Sequence, residues 1–319
     1  MSRIAFIFPG QGSQAVGMGK ELADAFPAAK AVFDEVDAAL GEKLSDLIWG
    51  GPIELLTLTA NAQPALMAVS LAAVQALETG FGVKISQAAF VAGHSLGEYS
   101  ALAAAGALSI TDAARLLRKR GEAMQAAVPV GQGAMAALIG KVDVEIAEAI
   151  VLEGAAAGTV VVANDNNNGN VVISGTKAGV EAAIAAAKAK GVKAISLPVS
   201  APFHSPLMAP AAIEMEKALA AAKINRPVVP VVANVTARPV DEPVDIRRLL
   251  VEQVTGRVRW RESIQWMAEA PDVGGGVVKF VETGAGKQLS GMVKRNAPDA
   301  ETMALNVPGD LEAFAKSLA

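Results

Sequence analysis

Cysteine is absent from this 319-residue chain, which removes disulfides, thiolate metal ligands and a cysteine nucleophile together. Histidine is nearly absent. His94 and His204 are the two copies, so a three-histidine zinc site cannot be assembled. A general base working near neutral pH would have to be one of these two. Aromatic residues make up 4%, too few for a stacking platform on single-stranded nucleic acid. No excess of positive charge exists either: 28 Lys and Arg face 32 Asp and Glu, a net charge of −4, where a nucleic-acid binder carries basic stripes. The longest apolar run, Pro64 to Leu77, is too short to span a bilayer and contains Ser70 and Gln75. The opening MSRIAFIFPGQG has a five-residue apolar run before Pro9, which reads as a buried strand and not as a signal peptide. With 52% hydrophobic residues and no long run of like charge, disorder is excluded. What remains is a soluble, cytoplasmic globular protein. Its length favours one large domain, or one domain carrying a smaller insert.

Strand and helix signals alternate along the chain. Residues 4–8 read as a short buried strand that ends in the loop Pro9-Gly10-Gln11-Gly12-Ser13-Gln14. A helix begins at Pro27, a residue suited to the first helical position, and Gly41 stops it. A second apolar helix follows Pro64. Residues 88–92 form a strand that runs into Gly93-His94-Ser95-Leu96-Gly97, with a helix behind it. Ser109 or Thr111 caps a strongly periodic helix that reaches about Ala127. From there the rhythm changes. Strands over 134–139, 159–163, 171–174 and 192–197 alternate with helices over 142–152 and 179–190, and 164–170 is a polar, Asn-rich hairpin loop. That β-α-β-β-α-β order is the ferredoxin-like pattern, so 128–200 is expected to be an insert within a domain built from 1–127 and 201–319. Beyond Pro202, helices over 210–222 and 246–254 and strands over 228–233 and 277–282 resume the alternation. A mostly parallel sheet covered on both faces follows from it. Ligands of such sheets sit beyond the carboxyl ends of the strands, where both glycine-rich loops fall.

The segment Gly93–Gly97 fits G-x-S-x-G, a nucleophile elbow. A sharp strand-to-helix turn holds such a serine in a strained conformation, and flanking glycines remove the Cβ atoms that would clash. The helix N-terminus then offers N–H groups to a developing oxyanion. The plain alternative is an ordinary glycine-rich turn, but a strand before it and a helix after it favour the catalytic reading. An elbow serine needs a base. His94 points differently along the turn, which leaves His204 within Ser200-Ala201-Pro202-Phe203-His204-Ser205. In the run Arg115-Leu116-Leu117-Arg118-Lys119-Arg120, helical spacing places Arg120 on the apolar stripe of Leu116, Leu117 and Met124. A buried guanidinium needs an anion. Its fork suits either a substrate carboxylate or an internal Asp or Glu, and spacing does not choose between them.

Two glycine motifs are decoys. Gly10-Gln11-Gly12-Ser13-Gln14-Ala15 satisfies the dinucleotide pattern, but Val16-Gly17-Met18-Gly19 is a poor helix opening and no second strand with an acidic end follows. Gly286-Lys287 is similar to part of a P-loop, yet Val281 and Gln288 occupy two of its defining positions. The Gly10–Gln14 loop is better suited to lend N–H groups to an anionic oxygen.

Over essentially its whole length the chain resembles the malonyl-CoA–acyl carrier protein transacylases of fatty acid synthesis. The resemblance rests on FPGQGSQ at 8–14, AQPA at 62–65, GHSLGEYSAL at 93–102 and RG at 120–121. It continues in GAMAALIG at 133–140, SAPFHSPLM at 200–208, VEQ at 251–253 and FVETGAGKQLSGMVKR at 280–295. It implies an α/β-hydrolase-like domain with a ferredoxin-like insert, Ser95 as acylated nucleophile, His204 as base, and Arg120 gripping the malonyl carboxylate. It further implies an oxyanion hole from the N–H groups of Gln11 and Leu96, and a main-chain carbonyl of Gln253 that orients His204. Gln63 and Met135 would line the acyl pocket. The resemblance also implies malonyl-CoA and acyl carrier protein as partners, a monomer, and no cofactor, the coenzyme A thioester being substrate. In the related polyketide acyltransferases a phenylalanine at the position of Phe203 accompanies malonyl choice. Ala62, the Asn-rich 164–170 segment and Ala285 depart from the common family pattern.

Other classes use parts of the same set. A serine thioesterase or other hydrolase needs an elbow serine and a histidine but no inward carboxylate clamp. A polyketide-type acyltransferase shares more. A non-catalytic carrier-protein docking module would have no use for Ser95, His204 and Arg120 together.

Overall fold

A computed structural model describes residues 3–199 and 201–318. Ser200, which opens the SAPFHSPLM motif and ends the expected insert, lies outside them, as do Met1, Ser2 and Ala319. The strands in chain order are β1 (Ile4–Phe8), β2 (Phe90–Gly93), β3 (Gly133–Ile139), β4 (Val160–Asn167) and β5 (Asn170–Thr176). They continue with β6 (Lys193–Ser196), β7 (Val231–Ala233), β8 (Arg238–Val240), β9 (Lys279–Thr283) and β10 (Glu301–Leu305).

Six of them form one sheet in the order β10-β9-β1-β2-β7-β8. All its pairings are parallel except the last, β7 with β8. The run Ile4-Ala5-Phe6-Ile7-Phe8 explains the central place of β1: every residue is buried, as expected of a strand covered by helices on both faces. In the β1–β2 register Phe8 faces Gly93, so the Gly10–Gln14 loop and the Gly93–Gly97 turn leave the sheet at the same end. The site is built there.

The other four strands make an antiparallel sheet in the order β4-β5-β3-β6. Period-two alternation divides its two faces. Ala136 and Leu138 of β3 pack with Ile150 and Ala183 of the helices Val144–Gly154 and Lys177–Ala189. Met135 and Ala137 turn the other way and join the core of the larger sheet. One face of the second sheet therefore looks onto the end of the first.

Three expectations differ from the structure. The Asn-rich segment is no loop: β4 runs to Asn167 and β5 begins at Asn170. A β-bulge after Val162 and the bonds Val258 N–H to Ala163 O and Asp165 N–H to Val258 O give these polar residues backbone partners. The helix expected after Pro64 starts earlier and spans Thr59–Phe81, with Pro64 inside it. By length and composition that helix, longer than the apolar run it contains, could cross a membrane; most of its length is buried inside the fold. Strands β8 and β10, and the closing helix Pro308–Leu318, had no counterpart in the expectations.

Candidate active site

The sharp turn at Ser95 follows from sterics. Strand β2 ends at Gly93 and the helix Gly97–Ala104 starts four residues later. Between them Ser95 has φ of 53°, the left-handed region that costs a side chain about 1–3 kcal/mol. A Cβ at Gly93 would lie 1.9 Å from the Gly97 carbonyl oxygen, and one at Gly97 would lie 2.3 Å from that of Phe8. Glycine is required at both positions. Asn234, just past β7, braces the turn. Its Nδ2 donates to the Gly93 carbonyl at 2.7 Å and its Oδ1 accepts the Ser95 N–H at 2.8 Å.

His204 Nε2 lies 2.7 Å from Ser95 Oγ. On its other side Nδ1 faces the carbonyl oxygens of Gln253 at 2.9 Å and Gly256 at 3.1 Å. Two acceptors there require the proton on Nδ1, which leaves the Nε2 lone pair for the serine hydroxyl. Burial, and then the nearby Arg120 charge, push the His204 pKa down to about 3, so the ring is neutral at pH 7. His94, although adjacent to Ser95 in sequence, turns to Asn166, with Nε2 2.8 Å from Oδ1, and sets its ring edge-on to Trp260.

Arg120 comes from the helix Ile110–Ala126, whose Ser109 cap accepts the Asp112 N–H at 2.9 Å. Leu116, Leu117 and Met124 of the same stripe are buried, and Arg120 is 1% exposed. Its Nη1 donates to Gln63 Oε1 at 2.8 Å, and its Nη2 to Gln253 Oε1 at 2.9 Å and Ser95 Oγ at 3.1 Å. Among the described residues it forms no ion pair, and Nε has no partner. The internal salt bridge left open by the sequence is therefore not made. A buried cation is held by neutral amides, with its fork beside Ser95. Burial lowers the Arg120 pKa, while Tyr99 and Glu98 act in the opposite direction.

The remaining expected residues gather around this pair. The N–H groups of Gln11 and Leu96 take no acceptor in the backbone network of the described residues. The Gln11 side chain is fixed by Thr59 Oγ1, which donates to its Oε1 at 2.8 Å. A cleft of about 380 Å³ opens between the two sheets, and Gln11, Gln63, Ser95, Leu96, Arg120, Met135, Phe203 and His204 all reach its wall. Gln253 stands behind that wall, fully buried. Sequence reasoning missed Asn234, the cleft-lining Asn164, Asn166 and Asn170, and Glu98. It also missed the Asp165–Arg261 pair, in which Arg261 grips the buried carboxylate through Nε at 3.0 Å and Nη2 at 2.7 Å, tying β4 to the helix Trp260–Ala268. An acid three residues after an elbow serine was the one signal available for Glu98.

Comparison with known proteins finds relatives over the whole chain. Residues 5–278 match the model of the acyl transferase domain. The malonyl CoA-acyl carrier protein transacylase of Bacillus subtilis strain 168 is 49% identical over 320 residues, covering 100% of this chain and 98% of the relative. Among solved structures, an acyl-carrier-protein-S-malonyltransferase from Bartonella henselae superposes with a TM-score of 0.95 at 52% identity, covering 99% of both chains. A malonyl-transacylase solved in complex with a type II PKS acyl-carrier protein gives a TM-score of 0.93 at 40% identity, covering 99% of this chain and 100% of the other.

Proposed function

The chain belongs to the acyl transferase domain family, among the malonyl CoA-acyl carrier protein transacylases, and from that premise we propose that its cleft moves a malonyl group from coenzyme A to acyl carrier protein by way of Ser95. The observation that carries the reading is Arg120, a buried guanidinium with no carboxylate partner among the described residues, 3.1 Å from Ser95 Oγ. A substrate bearing a free carboxylate supplies the missing anion.

The chemistry divides into two acyl transfers. Ser95 Oγ attacks the thioester carbonyl while His204 Nε2 takes its proton. The N–H groups of Gln11 and Leu96 receive the negative charge that forms on the carbonyl oxygen. Collapse breaks the C–S bond, and the imidazolium gives its proton to the departing coenzyme A thiolate. The phosphopantetheine thiol of the carrier then attacks the seryl ester by the same steps in reverse. The Gln253 carbonyl holds His204 in the required tautomer. Arg120 pairs with the malonyl carboxylate, and Gln63, Met135 and Phe203 bound the acyl group. Coenzyme A is substrate here, so no cofactor is called for.

The same reading extends to architecture and setting. The parallel sheet with its elbow supports an α/β-hydrolase-like domain of residues 1–127 and 201–319. The order of the second sheet and its two helices support a ferredoxin-like insert over 128–200. A cytoplasmic monomer supplying extender units for fatty acid synthesis fits both. The neighbour held on a PKS carrier protein favours a second reading in which a polyketide carrier also accepts the group. Intact mass after mixing with malonyl-CoA, and separately with acetyl-CoA, tests the proposal. Malonyl-CoA should add one malonyl mass, Ser95→Ala should abolish it, and an adduct persisting on Ser95→Ala would sink the assignment.

A further inference from the structure

Glu98 lies in the first turn of the helix Gly97–Ala104, is 2% exposed, and has no part in the steps above. Enclosing a carboxyl group without a paired cation is costly, and among the described residues Glu98 forms no ion pair. Its Oε2 accepts the Asn234 N–H at 3.0 Å and Gln253 Nε2 at 2.8 Å.

The Gln253 amide is the junction of the site. Its Nε2 donates to Glu98 and, at 3.0 Å, to the Ser95 carbonyl, while its Oε1 accepts from Arg120 at 2.9 Å. Turned over, the amide would set its oxygen against two acceptors and its NH₂ against a guanidinium that can only donate. Without Glu98 the amide nitrogen keeps the Ser95 carbonyl alone. We propose that Glu98 is a positioning residue for the malonyl carboxylate: it locks the Gln253 amide so that Arg120 is held beside Ser95, and its ionisation sets how much of the Arg120 charge is left for the substrate. This inference rests on the transacylase reading.

The charged and titratable groups acting on Glu98 are Arg120, from the helix Ile110–Ala126, and Tyr99 beside it. Asn234 and Gln253, on the other flanking segments, are neutral. Burial raises the Glu98 pKa to about 7, against the hydrogen bonds from Asn234 and Gln253 and the Arg120 charge, which lower it. Ionised, Glu98 competes with malonate for the Arg120 field. Protonated, it still accepts through its carbonyl oxygen and leaves that field to the substrate.

The test measures KM for malonyl-CoA relative to acetyl-CoA between about pH 5.5 and 9, with phosphonate labelling of Ser95 as a parallel readout. The ratio cancels titration of the coenzyme A phosphates. In the wild type the malonyl/acetyl KM ratio should rise with pH, with an inflection near 7. Glu98→Gln keeps an acceptor without the charge and should show a flat profile. Glu98→Ala should raise the ratio by roughly tenfold or more at every pH, the scale of a lost hydrogen bond in a charged network, while labelling of Ser95 falls less. An inflection that survives in Glu98→Gln overturns the proposal. So does a Glu98→Ala chain that loses labelling and malonyl transfer by one common factor. If Glu98→Ala does not fold, the Glu98→Gln profile decides alone. A wild type that malonyl-CoA does not acylate defeats the transacylase reading and this inference with it; an acylated wild type with unresponsive Glu98 variants defeats only the inference.

Discussion

Replacing Arg120 by alanine should separate substrate recognition from acyl chemistry. Among the described residues the guanidinium makes three hydrogen bonds, to Gln63, Gln253 and Ser95, and none to a carboxylate. When a malonyl group enters, the buried fork gains a charge-assisted pair. Removing one partner of such a pair costs about 2–5 kcal/mol, much of it from stranding the other charge. At about 1.4 kcal/mol per decade, malonyl transfer should fall roughly 30-fold to several thousand-fold. Acetyl-CoA carries no carboxylate to strand, so its transfer should change little. Stability is a separate question. The Oε1 atoms of Gln63 and Gln253 lose a donor, at about 1–3 kcal/mol each if water does not replace it, while the cost of burying the cation disappears. Arg120→Lys should restore part of the malonyl rate, because an ammonium does not reproduce the fork. The assay is transfer of both acyl groups to carrier protein, with Tm as the control on folding. Equal losses of malonyl and acetyl transfer in Arg120→Ala would show the residue to be structural and return weight to a hydrolase.

His204→Ala should slow malonyl transfer by about 10²–10⁴-fold, and His94→Ala by much less; the reverse ranking, with both chains folded, would exchange their roles. Because folding depresses the His204 pKa to about 3 from 6.5, the unfolded chain binds the extra proton between those values. The stability this contributes is complete above about pH 6.5 and is lost as pH falls towards 3. Tm of the wild type should thus drop more steeply from pH 6 to pH 4 than that of His204→Ala, and parallel curves would contradict the assignment. Phe203, buried on the cleft wall, should disfavour methylmalonyl-CoA relative to malonyl-CoA. One methyl group is worth about 1–3 kcal/mol, so discrimination should be partial; equal kcat/KM for the two substrates would remove the role.

The elbow was legible because it is local: five residues, a strand before and a helix after, and two glycines whose Cβ atoms have nowhere to go. Arg120 was legible as an inward residue from helical spacing, but its partners were not. Gln63 and Gln253, which hold it, and Glu98, which holds Gln253, belong to three other helices, and no spacing rule joins them. Asn234 was illegible for the same reason: it braces a turn some 140 positions earlier in the chain. The Asn164–Asn167 segment misled for a different cause. Asparagine disfavours strands as a rule, but here Asn164 and Asn166 line the cleft and Val258 completes the backbone pairing. Pro64 misled likewise, since proline at a helix start is the commoner case. The first turn it interrupts is steadied by Thr59, bonded to both Gln11 and Gln63.

The central position of β1 bears on how the chain matures. Its neighbours in the sheet are β2 on one side and β9 on the other, with Ile4 opposite Lys279, a pairing that spans most of the sequence. Such long-range pairing forms late, because closing a large loop must precede the contact. By Val278 the chain already holds Ser95, Arg120, His204 and Gln253. It still presents one side of Ile4-Ala5-Phe6-Ile7-Phe8 as an unpaired apolar edge, the kind that recruits other chains. A nascent or proteolysed chain ending there would carry every group of the proposed chemistry and yet aggregate, until β9 and β10 close the sheet.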